Sequence, residues 1–204
     1  MNFARTILLE VTLFVMLPVC AATAECPSSK LPTQGYILGL GGSKSEIYRL
    51  NSGETRVVTR YKTGDVVEQT LYQGLIRIEH LDRGKRLKFE PKTDLNHIFP
   101  LKMGQLHPVE FDTEANGQKR VLRSEFKVVG QDKIIVGPCQ FDVLKVEHRN
   151  RFGDGPLLFI NTDWYAPDIK MILAREYNES NARTSIRKYD SIFVIEEEKA
   201  PARK

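Results

Sequence analysis

The chain has 204 residues, 30 Lys and Arg against 26 Asp and Glu, and a formal net charge of +4. That length is enough for one domain with a substantial core. The charge is small and scattered, so neither nucleic acid nor an anionic membrane surface is the expected partner.

Residues 1–24 have the form of a secretory signal peptide. Arg5 supplies the basic start, Val11 to Leu17 is apolar, and Ala22-Thr23-Ala24 is a small-x-small cleavage site. Cleavage is expected after Ala24, which makes the protein periplasmic. A retained anchor is the rival reading, but Glu10 interrupts a run that would need about 20 predominantly apolar residues to cross a bilayer. Cys20 and Cys26 lie where a lipid could be attached, yet Val19 and Glu25 precede them in place of a small residue. A soluble exported protein with no transmembrane span after cleavage is therefore expected. Arg5 and Glu10 cancel, so the exported chain keeps the charge of +4. In an oxidising compartment the remaining cysteines, Cys26 and Cys139, invite a disulfide; two independent thiols are the alternative.

Residues 25–195 are expected to form a single β domain, and 196–204 a charged C-terminal tail. Gly53, Gly64, Gly74 and Gly84 punctuate the first half at the spacing of successive hairpin turns. Between them the residues alternate: Val57, Thr59 and Tyr61 share one face, Arg56 and Arg60 the other. Ile76 and Ile78 likewise oppose Arg77 and Glu79, which puts Arg77 on a wet face.

After a less regular link at Pro91 to Pro108, with at most a turn or short helix near Thr93 to Ile98, Asn116-Gly117 is the strongest hairpin signal. It joins a strand through Val109 and Phe111 to one in which Leu122, Ser124, Phe126 and Val128 face one way. Gly130-Gln131-Asp132-Lys133 is the next expected turn. Ile134 to Tyr177 then reads as a central hairpin, rich in β-branched and aromatic residues, with Pro138 and Pro167 marking corners. A last pair of strands spans Met171 to Tyr177 and Ser185 to Val194. The expected fold is mostly β: one strongly curved antiparallel meander forming a half-barrel or open barrel, with few or no helices, because about a dozen strands cannot stay flat.

Phe99-Pro100-Leu101-Lys102-Met103-Gly104, Phe126-Lys127-Val128-Val129-Gly130, Gly137-Pro138-Cys139-Gln140-Phe141-Asp142 and Trp164-Tyr165-Ala166-Pro167-Asp168 come in an order that resembles uncharacterised exported bacterial proteins of the DUF3108 group. Those proteins are similar to the half-barrel lipoprotein-carrier superfamily. The resemblance covers Tyr72 to Val194 and implies a curved sheet and an envelope location; its motifs are corners and carry no catalytic residue. Carriers of that superfamily lay helices across the open face, and this sequence has none of that kind.

No reaction is specified by the residues. His80, His97, His107 and His148 are far apart and lack metal-ligand spacing, so no metal and no cofactor is expected. Asp154, Asp163 and Asp168 flank the central hairpin without a calcium-loop pattern, which assigns them to turns and solvent faces. Gly39 to Ser45 lacks the spacing of a phosphate loop. Cys139 would be a nucleophile only if unpaired. Trp164 and Tyr165 are the candidate ligand-binding residues, large amphipathic groups beside a bend, and packing of the sheet's end is the competing role. Two functions follow: a noncatalytic periplasmic binding module holding a lipid or other hydrophobic molecule in a concave sheet, or a structural or assembly protein of the cell envelope working through protein contacts.

Overall fold

The structure is a computed structural model that describes residues 26–29, 35–50, 53–115, 118–178 and 184–195. The expected leader 1–24, the expected turn Asn116-Gly117 and the expected tail 196–204 lie outside the described residues.

Thirteen strands follow one another along the chain. They are β1 (Gly35–Leu40), β2 (Ser43–Arg49), β3 (Glu54–Arg60), β4 (Val66–Tyr72), β5 (Ile76–Asp82), β6 (Lys85–Pro91), β7 (Leu106–Ala115), β8 (Gln118–Val136), β9 (Cys139–Phe152), β10 (Leu157–Ala166), β11 (Met171–Asn178), β12 (Thr184–Lys188) and β13 (Ser191–Ile195). A single 3-10 turn, Leu95–Ile98, interrupts the β6 to β7 link, where the sequence allows a short helix. Each strand pairs antiparallel with the next from β1 to β12, and β13 pairs with β1. All four punctuating glycines sit at positive φ where one strand turns into the next. Gly41 and Gly42, also at positive φ, close β1 onto β2, so Gly39 to Ser45 is a hairpin.

One covalent fact forces the curvature. β12 and β13 are the two edges of the 13-stranded sheet, yet only Tyr189 and Asp190 separate them in sequence. A flat sheet of that size would hold its edges about 55 Å apart at ~4.8 Å per strand. Three Cα steps from Lys188 to Ser191 reach at most about 11 Å. The sheet must therefore curl until its edges meet. The link is tied to three elements: Tyr189 N donates to Leu173 O at 3.1 Å, Asp190 N to Gly39 O at 2.9 Å, and Gly137 N to Asp190 O at 3.1 Å. The ladder itself stays open, since β12 and β13 do not pair. This is the open curved sheet the pattern predicts.

The long hairpin β8–β9 departs from that pattern in one respect. Gly130-Gln131-Asp132-Lys133 is not a turn; β8 runs through it, with a bulge between Val128 and Gly130 that absorbs the glycine inside the strand. The turn is at Gly137-Pro138 instead. Along β9 the buried residues also change parity. Cys139, Phe141 and Val143 are buried near the turn, while Val146 and Asn150 are buried beyond it. The hairpin's two halves thus bury opposite faces, because side chains alternate along a strand.

Two clusters result. Near the turn, Ile134, Val136 and Phe141 pack with Tyr36, Leu38, Ile47, Leu173 and Ile192; farther out, Phe126, Val128 and Val146 pack with Val109, Phe111, Ile76 and Ile98. Cys26 and Cys139 form a disulfide, with Cα atoms 5.6 Å apart, fastening residue 26 to the buried tip of β9. A sulfur so engaged cannot also carry a thioether lipid.

The walls meet at the β10–β11 corner. Tyr36 Oη donates to Ile169 O at 2.9 Å, and Tyr165 Oη to Gln73 O at 2.7 Å. The β4–β5 turn approaches so closely that a Cβ on Gly74, itself at φ 70°, would lie 1.5 Å from Lys170 O. Gly74→Ala is therefore expected to lower stability by about 2 kcal/mol or more, through left-handed strain and a backbone clash together. Gly84→Ala shares the strain but meets nothing within 4 Å. Urea denaturation should rank Gly74→Ala as clearly the more damaging; equal effects would remove the corner from this account.

Candidate functional site

Between the curled walls lies a cavity of about 740 Å³. Much of its lining is apolar and comes from both halves of the sheet: Leu71 and Ile76 from β4 and β5, Phe111 and Phe126 from β7 and β8, Met171 and Ile172 from β11. Phe89 and Phe111 meet edge to face across the β6–β7 seam, with centroids 6.3 Å apart. That contact matters because only three residue pairs join β6 to β7.

The cavity also holds charge, which the sequence pattern does not suggest. Among the described residues three arginines line it, Arg77, Arg175 and Arg187, and no carboxylate does. The alternation expected of Ile76 to Glu79 places Arg77 outside. A register shift between β4 and β5 pairs Thr70 with Glu79 but Leu71 with Arg77, so Arg77 follows Leu71 inward. Burial, and then the nearby Arg175, pull the Arg77 guanidinium below its ordinary range. A guanidinium is basic enough to stay charged at neutral pH nonetheless.

Asp163 corrects a second expectation. It is fully buried, not on a turn or solvent face, and it grips Arg175 in a bidentate pair, Nε to Oδ1 at 2.5 Å and Nη2 to Oδ2 at 2.9 Å. The two residues face each other across β10 and β11. Burial pulls the Arg175 guanidinium down, but the carboxylate and its hydrogen bonds outweigh that and the net direction is up. Asp154 and Asp168 are peripheral: Asp154 accepts from Arg123, and Asp168 accepts from Ser29 N at 3.2 Å.

His148 completes the polar side. It stacks on Phe126 with centroids 4.3 Å apart, meets Phe159 edge-on at 5.7 Å, and places Nε2 3.2 Å from Asn150 Oδ1. Ser124 Oγ donates to the same amide oxygen. The hydroxyl proton is thus directed at Asn150 and not at an imidazole. Burial pushes the His148 imidazole down to about 4, so it is neutral at pH 7. His107 is buried with Nε2 unpartnered, His80 is partly buried, and His97 caps the 3-10 turn through Asp94 O. Among the described residues no three His, Cys, Asp or Glu side chains gather to hold a metal.

Trp164 and Tyr165 are not among the lining residues. Trp164 is half-buried against the first core cluster, with Lys145 Nζ 5.3 Å from its ring centroid. Tyr165 is buried and committed to Gln73 O and to packing beside Phe99. Both do the packing work that was the competing role. The ion pair behind the cavity wall carries one faint signal: Asp163 falls in phase with buried Asn161 and Tyr165 along β10. A carboxylate on a core-facing position needs a partner.

The site is thus that of an all-β module enclosing a cation-lined cavity. No protein-family model and no curated protein matches the chain. Among solved structures the chain is similar to the crystal structure of the hypothetical lipoprotein YmcC from Escherichia coli (K12), at 12% identity over 84% of this chain and 86% of that one, with a TM-score of 0.46. Among the described residues, no helix is long and apolar enough to cross a membrane.

Two outcomes follow from the site's electrostatics. Asp163→Asn leaves Arg175 buried without its counter-ion and should cost about 3–5 kcal/mol in chemical denaturation, whereas Asp163→Asn combined with Arg175→Met should recover most of it. A double variant as unstable as the single one would contradict the pairing argument. For His148 the folded value of about 4 lies below the ordinary 6.5. The unfolded chain therefore binds the proton first, and stability present above pH 6.5 is lost as pH falls towards 4, by up to about 3 kcal/mol. His148→Phe, which keeps the stack on Phe126, should flatten the melting temperature across that window.

Proposed function

We propose that this chain is an exported, noncatalytic binding module that holds a hydrophobic or amphipathic small molecule inside its curled sheet. The observation that carries the proposal is the 740 Å³ cavity walled by side chains from both halves of the sheet. Its size falls within the roughly 300–1,000 Å³ of ordinary small-molecule sites, and its make-up, apolar walls with a few convergent polar groups, is theirs as well. The polar groups it offers support binding over catalysis. Ser124 is hydrogen-bonded to an amide, His148 packs between rings, and Arg175 is held by Asp163. The Cys26–Cys139 disulfide fits an oxidising compartment such as the periplasm.

The test is native mass spectrometry of protein purified from cells under mild conditions, with solvent extraction of whatever is carried. A stoichiometric apolar adduct is expected, and its loss in Ala174→Phe, which adds a ring to the cavity wall where Ala174 is 4% exposed. Protein that arrives empty, and that takes up no long-chain alcohol or apolar dye in titration, would defeat the proposal.

A further inference from the structure

The charges inside the cavity do not balance. Arg175 is neutralised by Asp163 in a bidentate pair, and among the described residues Asp163 makes no hydrogen bond to Arg77, on which its charge acts only at longer range. Arg77 Nε is buried and has no hydrogen-bond partner, and among the described residues no carboxylate forms an ion pair with this guanidinium. Arg187 stands directly across the ladder from Arg175, and the two guanidinium groups lie 5.5 Å and 6.0 Å from the ring of Tyr177. Like charges directly opposite one another weaken a strand pair, and an uncompensated buried cation is costlier still. With Arg175 paired to Asp163, the described lining residues leave two guanidinium groups without a carboxylate partner, Arg77 in the wall and Arg187 on the exposed edge strand, and their field favours an incoming anion.

We propose that Arg77, backed by Arg175 and Arg187, is the head-group subsite of the cavity, and that the ligand is an amphiphile with an oxyanion head, a carboxylate or a phosphate, whose chain lies along Leu71, Ile76 and Met171. The inference rests on the cavity being a ligand site at all. The planar fork of a guanidinium matches either oxyanion in bidentate geometry, and among the described lining residues the Nε of Arg77 is a buried donor with no partner. An uncharged ligand with an oxygen could accept from that donor but would leave the cation uncompensated, and a wholly apolar one would leave the donor unpaired as well.

The experiment is titration calorimetry at neutral pH with three probes of one chain length: decanol, decanoate and decyl phosphate. Decanol reports the cavity alone. At least one of the two anions is expected to bind about tenfold or more tightly than decanol, as a charge-assisted hydrogen bond gives; which anion is preferred assigns the head group, and either assignment supports the subsite. In Arg77→Gln the ratio of anion to alcohol affinity should fall towards one. Arg77→Lys, which keeps the charge without the fork, should give an intermediate ratio, and its folding is checked by its thermal transition. If decanol binds and neither anion binds more tightly, the subsite is refuted while the binding module stands. A preference that persists undiminished in Arg77→Gln refutes it too. If none of the three binds, the cavity is not a ligand site and both proposals fall together.

Discussion

The joining of β12 to β13 by Tyr189 and Asp190 is the constraint on which the architecture depends. A meander left to itself is a ribbon with two distant edges, each a template for unwanted pairing. Here the chain cannot place both edge strands without bringing them together, so curling is fixed by connectivity before any side chain packs. Packing then decides how tight the curl becomes. Tyr36 and Tyr165 each bury a ring and spend the hydroxyl on a carbonyl of the opposite wall. Gly74 supplies the close approach that a side chain would block. The tip of β8–β9 turns its apolar face to β1 and β13 and closes one region of the interior, which leaves the cavity beyond it.

Much of this was legible in the sequence, and the limits of legibility have a physical cause. Glycine at regular intervals signals turns because only glycine takes positive φ without penalty, and the four turns fall where Gly53, Gly64, Gly74 and Gly84 predict them. Alternation finds the faces of β3 and of the outer half of β8, since both are regular. It fails wherever a bulge changes the count. Arg77 follows one such shift in β5, and Gly130, read as a turn, is absorbed by another in β8. Periodicity has no access to these shifts, because they are settled between strands and not within one.

The site was less legible for a different reason. Trp164 and Tyr165 attract attention as large amphipathic residues at a bend, but residue type does not say which wall a ring faces. Asp163 and Arg175 each look like ordinary strand-surface charge when read alone. Their meaning lies in the pairing across β10 and β11, where a buried carboxylate and guanidinium satisfy each other in two parallel hydrogen bonds. Once that pair is recognised, Arg77 stands out, among the described residues, as a buried guanidinium with no carboxylate in direct contact.

That surplus bears on how occupancy and stability are coupled. A buried guanidinium without a partner raises the free energy of the empty state, and an anion that binds only the folded protein removes the penalty while adding stability that grows with the logarithm of its concentration. The strand nearest to this balance is one of the sheet's two short edges. β12 is five residues long, exposed throughout, and paired on one side only, to β11. Short edge strands with few buried contacts open first. Arg187 sits on β12 directly opposite Arg175, so the pairing that holds this edge sets two cations face to face, one of them already balanced by Asp163.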